Sequence, residues 1–453
     1  MLLRFFVYLA VVLSCVTSLP TKLSDLHAKA VSEQMRDIAA AGSAWSVLAK
    51  PSWGCNPIAS NANSPMHKVV HCINEEYVPR NMTWKLAMTD TPAALKVAGA
   101  WWTRKVAKVP ATLVTQSTVD RIPQLYSQCK SWQGPLSVAL YLGLLQDTNT
   151  GTLTPNNLAL LQEAILQVSA FFIEVEKESG TCQPEILLLY EVYTERKALL
   201  LYPINLLRNV ARLQARTPLT ALIDVDMLLS TYAYKDMEDP VKAQAVVQGA
   251  RRKRAYVLPA FETYGLQHQA AALADRIARK DKAFLIQAVK KGMCGGFDSR
   301  RFSPGHNSTD YERWFRSDAE YDIHYGWRYE PWVIVDRKVA PWHDVRFRGY
   351  GQNKIQHIAH INASGFQFVV MPRTYIIHRA HKLTSVRHSL ITSKAAYDAA
   401  LAKHESVDTT SVYGHTRALY DGAKALMDAG KFTETLDPAT INCRKSLPWW
   451  TSP

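Results

Sequence analysis

The distribution of apolar and polar positions divides the chain near residue 111. Beyond that point, short continuous apolar runs alternate with stretches in which apolar residues recur every three or four positions. Continuous runs are typical of strands in a parallel sheet that is covered on both faces, and the longer period is typical of amphipathic helices. The predicted strands are 111–115, 136–145 (alternatively a buried helix), 186–193, 219–223, 366–371 and 374–377. The predicted helices are 120–130, 156–177, 202–214 and 352–361. This alternation predicts an α/β fold with a mostly parallel central sheet flanked by helices.

The residues before 111 follow a different pattern. Arg4 precedes an apolar run that extends to about Leu19, which is typical of a secretory signal. The run is short for a bilayer span of about 20 residues, and an uncleaved signal-anchor is the alternative. Residues 22–48 have the period of an amphipathic helix, whereas 51–110 are irregular and rich in turn residues. The predicted division is a leader at 1–19, a luminal stem or cap at 20–108, one α/β domain at 109–440 and a tail at 441–453.

Cysteine usage also indicates a secretory protein. Besides Cys15 in the leader, six widely spaced cysteines are present: Cys55, Cys72, Cys129, Cys182, Cys294 and Cys443. In an oxidising compartment they predict up to three disulfides, and Cys55 with Cys72 is the most local pairing. Three N-glycosylation sequons point the same way: Asn81, Asn307 and Asn362.

The formal net charge is +14, which suits an anionic partner of some kind. The densest basic run, 251–254, has no interleaved aromatic residues and no nucleic-acid motif around it. We therefore expect no nucleic-acid partner, and membrane contact only through the N-terminal segment. The run itself predicts an exposed loop, with a site for a secretory protease as the alternative.

The segment Asp224-Val225-Asp226 directly follows the predicted strand 219–223. In an extended chain, residues two apart project to the same side, so two carboxylates would lie together and attract a cation. Mn²⁺ and Mg²⁺ take such oxygen ligands. The carboxyl end of a buried strand is also where open α/β sheets bind ligands. The segment therefore predicts a metal site for a nucleotide diphosphate, with a helix cap or a loop pair as the alternative.

A second segment, 302–382, is dense in His, Trp, Tyr and Arg. Aromatic rings stack on sugar faces and basic side chains hold phosphates or carboxylates, although each aromatic residue alone could equally be part of the core. Gly349 and Gly351 allow a close approach of the backbone. His378 follows a predicted strand and could complete a metal site. The motifs HExxH and GxSxG are absent and no glycosidase-like carboxylate pair can be placed, which argues against a secreted hydrolase.

Six ordered motifs carry a family resemblance. They are Thr112-Leu-Val-Thr115, Tyr202-Pro-Ile-Asn-Leu-Leu-Arg-Asn209, Leu222-Ile-Asp-Val-Asp-Met227, Tyr329-Glu-Pro-Trp332, Asp344-Val-Arg-Phe-Arg-Gly-Tyr-Gly-Gln-Asn-Lys354 and Tyr375-Ile-Ile-His378. Over about 111–381 the chain resembles glycosyltransferase family 49, which includes the C-terminal glucuronyltransferase domain of the LARGE proteins and a β-1,4-glucuronyltransferase. Gln352 departs from the aromatic residue usual in that family, and Gln116-Ser117 departs from a His-bearing segment.

The resemblance implies a GT-A glycosyltransferase domain at 109–440, a UDP-sugar donor, Mn²⁺ (or Mg²⁺) and inversion at the anomeric carbon. By position it implies three metal ligands: Asp224, Asp226 and His378. An inverting transfer needs a general base, for which the resemblance implies Asp344 or Glu330, with Asp344 slightly favoured. The implied donor-binding residues are Thr115, Asn205, Arg208 and Asp224. The implied residues of the acceptor side or site lining are Trp332, Asn353 and Lys354.

The predicted function is therefore transfer of a sugar, foremost glucuronic acid, from a UDP donor to a glycan or glycoprotein acceptor. The location implied is the secretory pathway, in the Golgi lumen, as a type II membrane-anchored or secreted protein. One alternative is the same chemistry with UDP-xylose or a UDP-N-acetylhexosamine. The other is a catalytically silent glycan-binding protein, against which the intact Asp224, Asp226, His378 and Asp344 argue.

Overall fold

The computed structural model describes residues 66–89, 95–146, 153–382 and 385–451. The predicted leader at 1–19, the predicted helix at 22–48, Cys15 and Cys55 lie outside these residues. The described part contains a ten-stranded sheet and a four-stranded sheet with helices packed around them.

The strands are β1 (Asn81–Met82), β2 (Lys96–Trp102), β3 (Ala111–Thr118), β4 (Pro135–Leu145), β5 (Gln183–Tyr193), β6 (Leu219–Leu222), β7 (Met227–Leu229), β8 (Arg254–Leu258), β9 (Ala260–Thr263), β10 (Cys294–Gly296), β11 (Tyr321–Ile323), β12 (Trp332–Asp336), β13 (Gln367–Val370) and β14 (Ile376–His378). The helices are α1 (His67–Glu75), α2 (Trp84–Met88), α3 (Ile122–Ser131), α4 (Pro155–Lys177), α5 (Ile204–Gln214), α6 (Thr231–Glu238), α7 (Pro240–Arg251), α8 (Gln267–Ile277), α9 (Lys282–Lys290), α10 (Tyr311–Arg316), α11 (Asn353–Ala363), α12 (Ser385–Ala402), α13 (Val412–Asp428), α14 (Pro438–Ser446) and α15 (Pro448–Thr451).

The large sheet has the order β1-β5-β4-β3-β6-β12-β8-β13-β11, and β2 also pairs with β5. Strands β5, β4, β3 and β6 run parallel, whereas β12 runs antiparallel to both of its neighbours. The second sheet has the order β10-β9-β14-β7. The expected α/β class with a mostly parallel central sheet is confirmed, and 136–145 is a strand rather than a helix.

Side chains on the parallel strands alternate between two apolar cores. Leu113 and Val138 contact the core that includes α3 and α4. Val114 and Ala139 contact the core on the other face, which includes α5. Because both faces are covered, these strands are apolar at consecutive positions, as their sequence predicts.

Helix α4 is the one described helix that is long and apolar enough, by length and composition, to cross a membrane. Its Val168, Phe171 and Val175 are buried in the same core as α3. The apolar character of α4 is therefore explained by its packing against the sheet.

The prediction of an irregular stretch over 51–110 is wrong for its described part. Residues 66–89 form α1, β1 and α2, and β2 joins the large sheet antiparallel to β5. A register shift between Val97 and Gly99 interrupts β2, which obscures its strand period in the sequence. The C-terminal residues 441–451 also pack on the sheet domain, since the indoles of Trp449 and Trp450 both donate to the carbonyl of Leu213.

The described residues contain two disulfides, Cys72–Cys443 and Cys129–Cys182, and Cys294 is a buried free thiol. The local pairing of Cys55 with Cys72 is therefore wrong. Helix α1 packs against α14, which brings Cys72 to Cys443 across 371 residues of sequence with the Cα atoms 5.7 Å apart. Spacing along the sequence could not predict this disulfide, because tertiary packing brings the two cysteines together.

We expect Cys443→Ser to lower the free energy of unfolding by about 2–5 kcal/mol, because the disulfide restricts the unfolded chain over a long loop. Urea unfolding under non-reducing conditions measures the change. Cys294→Ser is the matched control, since it removes a thiol without breaking a disulfide. An unfolding midpoint of Cys443→Ser equal to that of wild type would contradict the pairing.

Candidate active site

The Asp-x-Asp segment lies between the two sheets. Strand β6 ends at Leu222, and the amide of Met227 donates to the carbonyl of Asp224 at 2.9 Å, which closes a turn before β7. The two carboxylates therefore do not project to one side, as an extended chain would require. Each of them belongs to a different group of side chains.

Asp226 lies against the end of β14. His378 pairs with Met227 in the antiparallel ladder of β7 and β14, and the amide of Arg379 donates to the carbonyl of Asp226 at 2.7 Å. The Oδ2 atom of Asp226 is 2.7 Å from Nε2 of His381 and 3.7 Å from Nε2 of His378. Burial alone would raise the pKa of Asp226, but the hydrogen bonds and charges of the two histidines hold it well below its usual range.

The carboxylate of Asp226 and the rings of His378 and His381 offer three ligand atoms that lie within 4.8 Å of one another. Two imidazoles and a carboxylate suit a divalent transition metal. Sequence reasoning identified Asp226 and His378 but missed His381. The spacing His378-x-x-His381 was the signal that could have found it.

Asp224 is held by cations and an indole instead. Its Oδ1 accepts from Nη2 of Arg208 at 3.1 Å, and its Oδ2 accepts from Nε1 of Trp332 at 3.1 Å. Nζ of Lys354 lies 3.6 Å from Oδ2 and 3.3 Å from the centroid of the Trp332 ring. The Asp224 carboxylate therefore lies beside the cluster of Asp226, His378 and His381 but does not belong to it.

Arg208 connects three of the expected site residues. On α5, its Nη1 donates to Oδ1 of Asn205 at 3.0 Å and to Oδ1 of Asn353 at 2.9 Å. Asn353 begins α11, after the left-handed Gln352 with φ 56°. The structure therefore brings Asn205, Arg208, Asn353, Lys354 and Asp224 together, as the family resemblance implies.

Glu330 lies immediately before β12, near Lys354 and Asp224. Its side chain is 20% exposed, and Oε1 is 4.0 Å from Nε2 of His306. Burial raises the pKa of Glu330, and the neighbouring Lys354 lowers it in part. A partly accessible carboxylate with a raised pKa is suited to accept a proton near neutral pH.

Asp344 has a different environment. Its side chain is fully buried, and both oxygens accept from the guanidinium of Arg346, with Nη2 to Oδ2 at 2.6 Å and Nε to Oδ1 at 3.0 Å. Its Oδ1 also accepts from the amide of Arg346, and its carbonyl accepts from Asn205 at 2.8 Å. The carboxylate therefore fixes the loop before α11.

Two further expected residues are buried. Thr115 is fully buried in β3, and among the described residues its hydroxyl has no hydrogen-bond partner. Trp332 is 3% exposed and stacks on His306 with the ring centroids 5.7 Å apart. A sugar therefore cannot stack on Trp332, whose described role is to hold Asp224 and Lys354.

A group of buried histidines lies near Arg208. The rings of His343 and His357 are 3.6 Å apart, and His360 lies 3.9 Å from the carboxylate of Glu434. Burial lowers the pKa of all three, aided for His343 and His357 by Arg208 and Arg212; Glu434 and Asp344 partly oppose the shift of His360. These histidines are therefore neutral in the folded protein at neutral pH.

A pH dependence of stability follows from these lowered pKa values. Below pH 6.5 the unfolded chain binds protons that the folded protein does not, so stability is present above that pH and is lost as the pH falls. Each histidine can contribute up to about 1.4 kcal/mol per pH unit. We expect His360→Gln to make the decline of the urea midpoint between pH 7 and 5 shallower. His268→Gln, at an exposed site, should leave it unchanged, and an unaltered slope in His360→Gln would contradict this account.

A model of the family described as "Glycosyl-transferase for dystroglycan" matches residues 110–413. Xylosyl- and glucuronyltransferase LARGE2 of Mus musculus is 33% identical over 270 residues, which are 60% of this chain and 34% of that protein. LARGE1 of Danio rerio is 32% identical over 278 residues, 61% of this chain and 32% of that protein. The chain thus spans about a third of the length of these relatives.

Two solved structures resemble parts of this fold. Mannosyltransferase PcManGT of Pyrobaculum calidifontis, in complex with GDP-Man and Mn²⁺, is 10% identical with a TM-score of 0.29 and 86% coverage of each chain. TarS of S. aureus in complex with UDP-GlcNAc is 10% identical with a TM-score of 0.30, covering 70% of this chain and 72% of that one. Likenesses at this level carry no argument about the site. The family match, in contrast, covers well over half of the chain, and the protein belongs to glycosyltransferase family 49.

Proposed function

We propose that the protein is a metal-dependent, inverting glycosyltransferase that moves glucuronic acid from a UDP donor to a glycan acceptor. The observation that carries this proposal is the group of Asp226, His378 and His381 beside Asp224, at the carboxyl end of the central strand β6. Asp226, His378 and His381 would hold a cation there. Arg208 and Lys354 both contact the neighbouring Asp224, and their positive charges suit a diphosphate.

The donor set fits a divalent transition metal, with Asp226, His378 and His381 as its protein ligands. When bound, such an ion neutralises the charge that develops on the departing nucleotide diphosphate. We assign Asp224 to the donor site, because its carboxylate accepts hydrogen bonds from Arg208 and Trp332 and offsets the positive charge of Arg208.

The imidazoles predict a preference for Mn²⁺ over Mg²⁺, because Mg²⁺ favours oxygen ligands. We expect Mg²⁺ to bind at least about tenfold more weakly, as measured by calorimetric titration of the full chain with each metal alone. His381→Asp, which replaces an imidazole with a carboxylate, should reduce the difference in affinity between Mn²⁺ and Mg²⁺. Equal affinity of the wild-type protein for the two ions would argue against the histidine ligands.

For the general base we propose Glu330. It is partly accessible and lies beside Lys354 and Asp224, and burial raises its pKa. Asp344, the slightly favoured alternative in the sequence, has both oxygens bound by Arg346 and no exposed surface. We propose that Asp344 positions the loop that leads to Asn353 and Lys354.

The choice of glucuronic acid rests on the relatives, which are named xylosyl- and glucuronyltransferases. Their second named sugar makes UDP-xylose the nearest alternative donor. The basic side chains of Arg208 and Lys354 would be shared by every UDP donor and do not discriminate. The residues that we propose for the metal, the diphosphate and the general base argue against a silent glycan-binding protein.

We also propose a location in the secretory pathway, in the Golgi lumen. Disulfides form in oxidising compartments, and two of them link distant parts of the described chain. The sequon residues Asn307 and Asn362 are both exposed, where glycosylation could reach them. In the basic segment 251–254, Arg251 ends α7, residues 252–253 form an exposed turn, and the half-buried Arg254 begins β8.

The experiment is a transfer assay with purified protein, Mn²⁺, single UDP-sugars and a mixture of glycans. We expect UDP release that needs both an acceptor and UDP-glucuronic acid, with a product of inverted anomeric configuration. Activity with UDP-xylose alone would keep the site and change the donor. UDP release with no sugar transferred would contradict the proposal.

A further inference from the structure

A buried ion pair that has no part in the proposed reaction lies at the carboxyl end of strand β5. Glu191 accepts two hydrogen bonds from Arg348, from Nη2 to Oε2 at 2.6 Å and from Nη1 to Oε1 at 3.3 Å. The side chain of Glu191 has no exposed surface, and that of Arg348 is 6% exposed. Taking two charges out of water costs much of the energy that their attraction returns, so stability alone does not explain such a pair.

Two tyrosine hydroxyls complete the surroundings of Glu191. Tyr193 donates to its Oε2 at 2.6 Å and Tyr141 at 3.2 Å, and the two hydroxyls lie 2.8 Å apart. Nη2 of Arg348 also donates to the hydroxyl of Tyr193 at 2.9 Å. Tyr141 and Tyr193 lie on the neighbouring parallel strands β4 and β5, so the sheet fixes the place of the Glu191 carboxylate. Arg348 is the side chain that connects this fixed carboxylate to another part of the chain.

Arg348 holds the loop between β12 and α11 against the segment that precedes α5. Its Nε donates to the carbonyl of Leu201 at 2.9 Å. The next residue, Gly349, donates its amide to the carbonyl of Tyr202 at 2.7 Å. Gly349 has φ 74°, and a Cβ atom there would lie 3.0 Å from the carbonyl oxygen of Leu200. The loop and the segment therefore touch through their backbones, at a position that favours glycine.

Both of these segments lead into the proposed donor site. The segment before α5 leads to Arg208, and the loop before α11 leads to Asn353 and Lys354. Nη1 of Arg208 donates to Oδ1 of Asn353 at 2.9 Å. Arg208 and Lys354 both reach Asp224, at 3.1 Å and 3.6 Å. A side chain that holds the two segments together therefore determines how the cations of Arg208 and Lys354 are spaced.

We propose that Arg348 is a positioning residue for the donor site. Its guanidinium, oriented by Glu191, holds the loop before α11 against the segment before α5, and this contact sets the spacing of Arg208 and Lys354 for a diphosphate. A misplacement of about 1 Å, caused far from the reacting atoms, can cost about 100-fold in rate. The effect of Arg348 on donor binding rests on the proposed transferase function, whereas its effect on the loop does not.

Three variants separate positioning from folding. Arg348→Met leaves Glu191 buried without its counter-charge, which should lower the melting temperature by about 4 °C or more. The double variant Arg348→Met with Glu191→Gln removes both charges and keeps an acceptor for the two tyrosines, so most of this loss should be regained. Arg216→Met is the matched control. Arg216 pairs with the buried Glu185, which lies roughly 20 Å from Glu191 along the same strand β5.

Hydrogen exchange of the loop tests the proposal without any ligand. The amide of Gly349 should be protected in wild type and should exchange at least about tenfold faster in the double variant, because the contact with Leu201 is lost although the melting temperature is regained. Arg216→Met should leave this exchange unchanged. Wild-type protection of the Gly349 amide in the double variant would overturn the proposal.

Calorimetry measures the effect on the donor site. In both variants of Arg348, UDP with Mn²⁺ should bind at least about tenfold more weakly than in wild type. Mn²⁺ alone should bind as in wild type, because the three proposed metal ligands lie on or beside β7 and β14 and not in this loop. Arg216→Met should bind both ligands like wild type.

The double variant gives the decisive outcome. UDP affinity that returns together with the melting temperature would show that Arg348 acts only through stability, and would overturn the proposal. A wild-type protein that binds no UDP with Mn²⁺ would instead contradict the transferase function, and the exchange of the Gly349 amide would still decide the role of Arg348.

Discussion

Replacing Asp226 with alanine is expected to abolish metal-dependent binding of the UDP donor and reduce transfer by at least about 100-fold. Loss of residues that merely support metal ligands already costs about 10–100-fold, and Asp226 supplies a ligand oxygen itself. Its Oδ2 also lies near Nε2 of both His378 and His381, so its removal leaves two imidazoles without their shared partner. Calorimetry with Mn²⁺ alone, then with UDP and Mn²⁺, measures the loss.

Asp421→Asn serves as the control for the Asp226 variant, since Asp421 forms an exposed pair with Arg417 on α13. It should bind Mn²⁺ and UDP like wild type. Retained Mn²⁺-dependent UDP affinity in Asp226→Ala would remove the metal assignment. Loss in both variants would point to general destabilisation, which thermal unfolding of each variant detects.

The second large effect is expected for Glu330→Gln. The amide keeps the size of the side chain but cannot accept a proton, so transfer should fall by about 10²–10⁴-fold while UDP binding is retained. In wild type the rate should rise with pH as Glu330 loses its proton, with an inflection above the ordinary glutamate range because burial raises this pKa. That rising limb should disappear in Glu330→Gln.

Asp344→Asn separates the two carboxylates that the sequence left as alternatives. It weakens the ion pair with Arg346, and hydrogen bonds to charged groups contribute roughly 1.5–3 kcal/mol to stability. We therefore expect a lower melting temperature with the rising pH limb preserved. A loss of that limb in Asp344→Asn, with turnover intact in Glu330→Gln, would reverse the assignment.

The sequence was sufficient for the central elements, and it singled out several residues that the fold brings together around Arg208. The apolar runs at 136–145 and 186–193 are buried on both faces, so their pattern reports the sheet directly. Arg208 and Asn205 lie three residues apart, and one turn of α5 brings them together. Such local relationships can be predicted from one sequence, because the periodicity of a helix or strand determines which nearby residues lie on the same face.

Contacts set by packing or by an unexpected turn were not predictable in the same way. Asp224 and Asp226 were expected on one side of an extended segment, but the turn closed by Met227 directs them to different partners. His381 reaches Asp226 because β14 pairs with β7, which brings together two side chains that are 155 residues apart in the sequence. Likewise, Cys72 meets Cys443 only after α1 packs against α14.

The most direct test of the account is thermal stabilisation of the protein by individual UDP-sugars, with and without Mn²⁺. A ligand that binds the folded state raises the melting temperature by mass action. The account predicts a rise that requires both UDP-glucuronic acid and Mn²⁺ and that is absent from Asp226→Ala. Stabilisation by UDP-glucuronic acid of equal size without any divalent metal, or in Asp226→Ala, would contradict it.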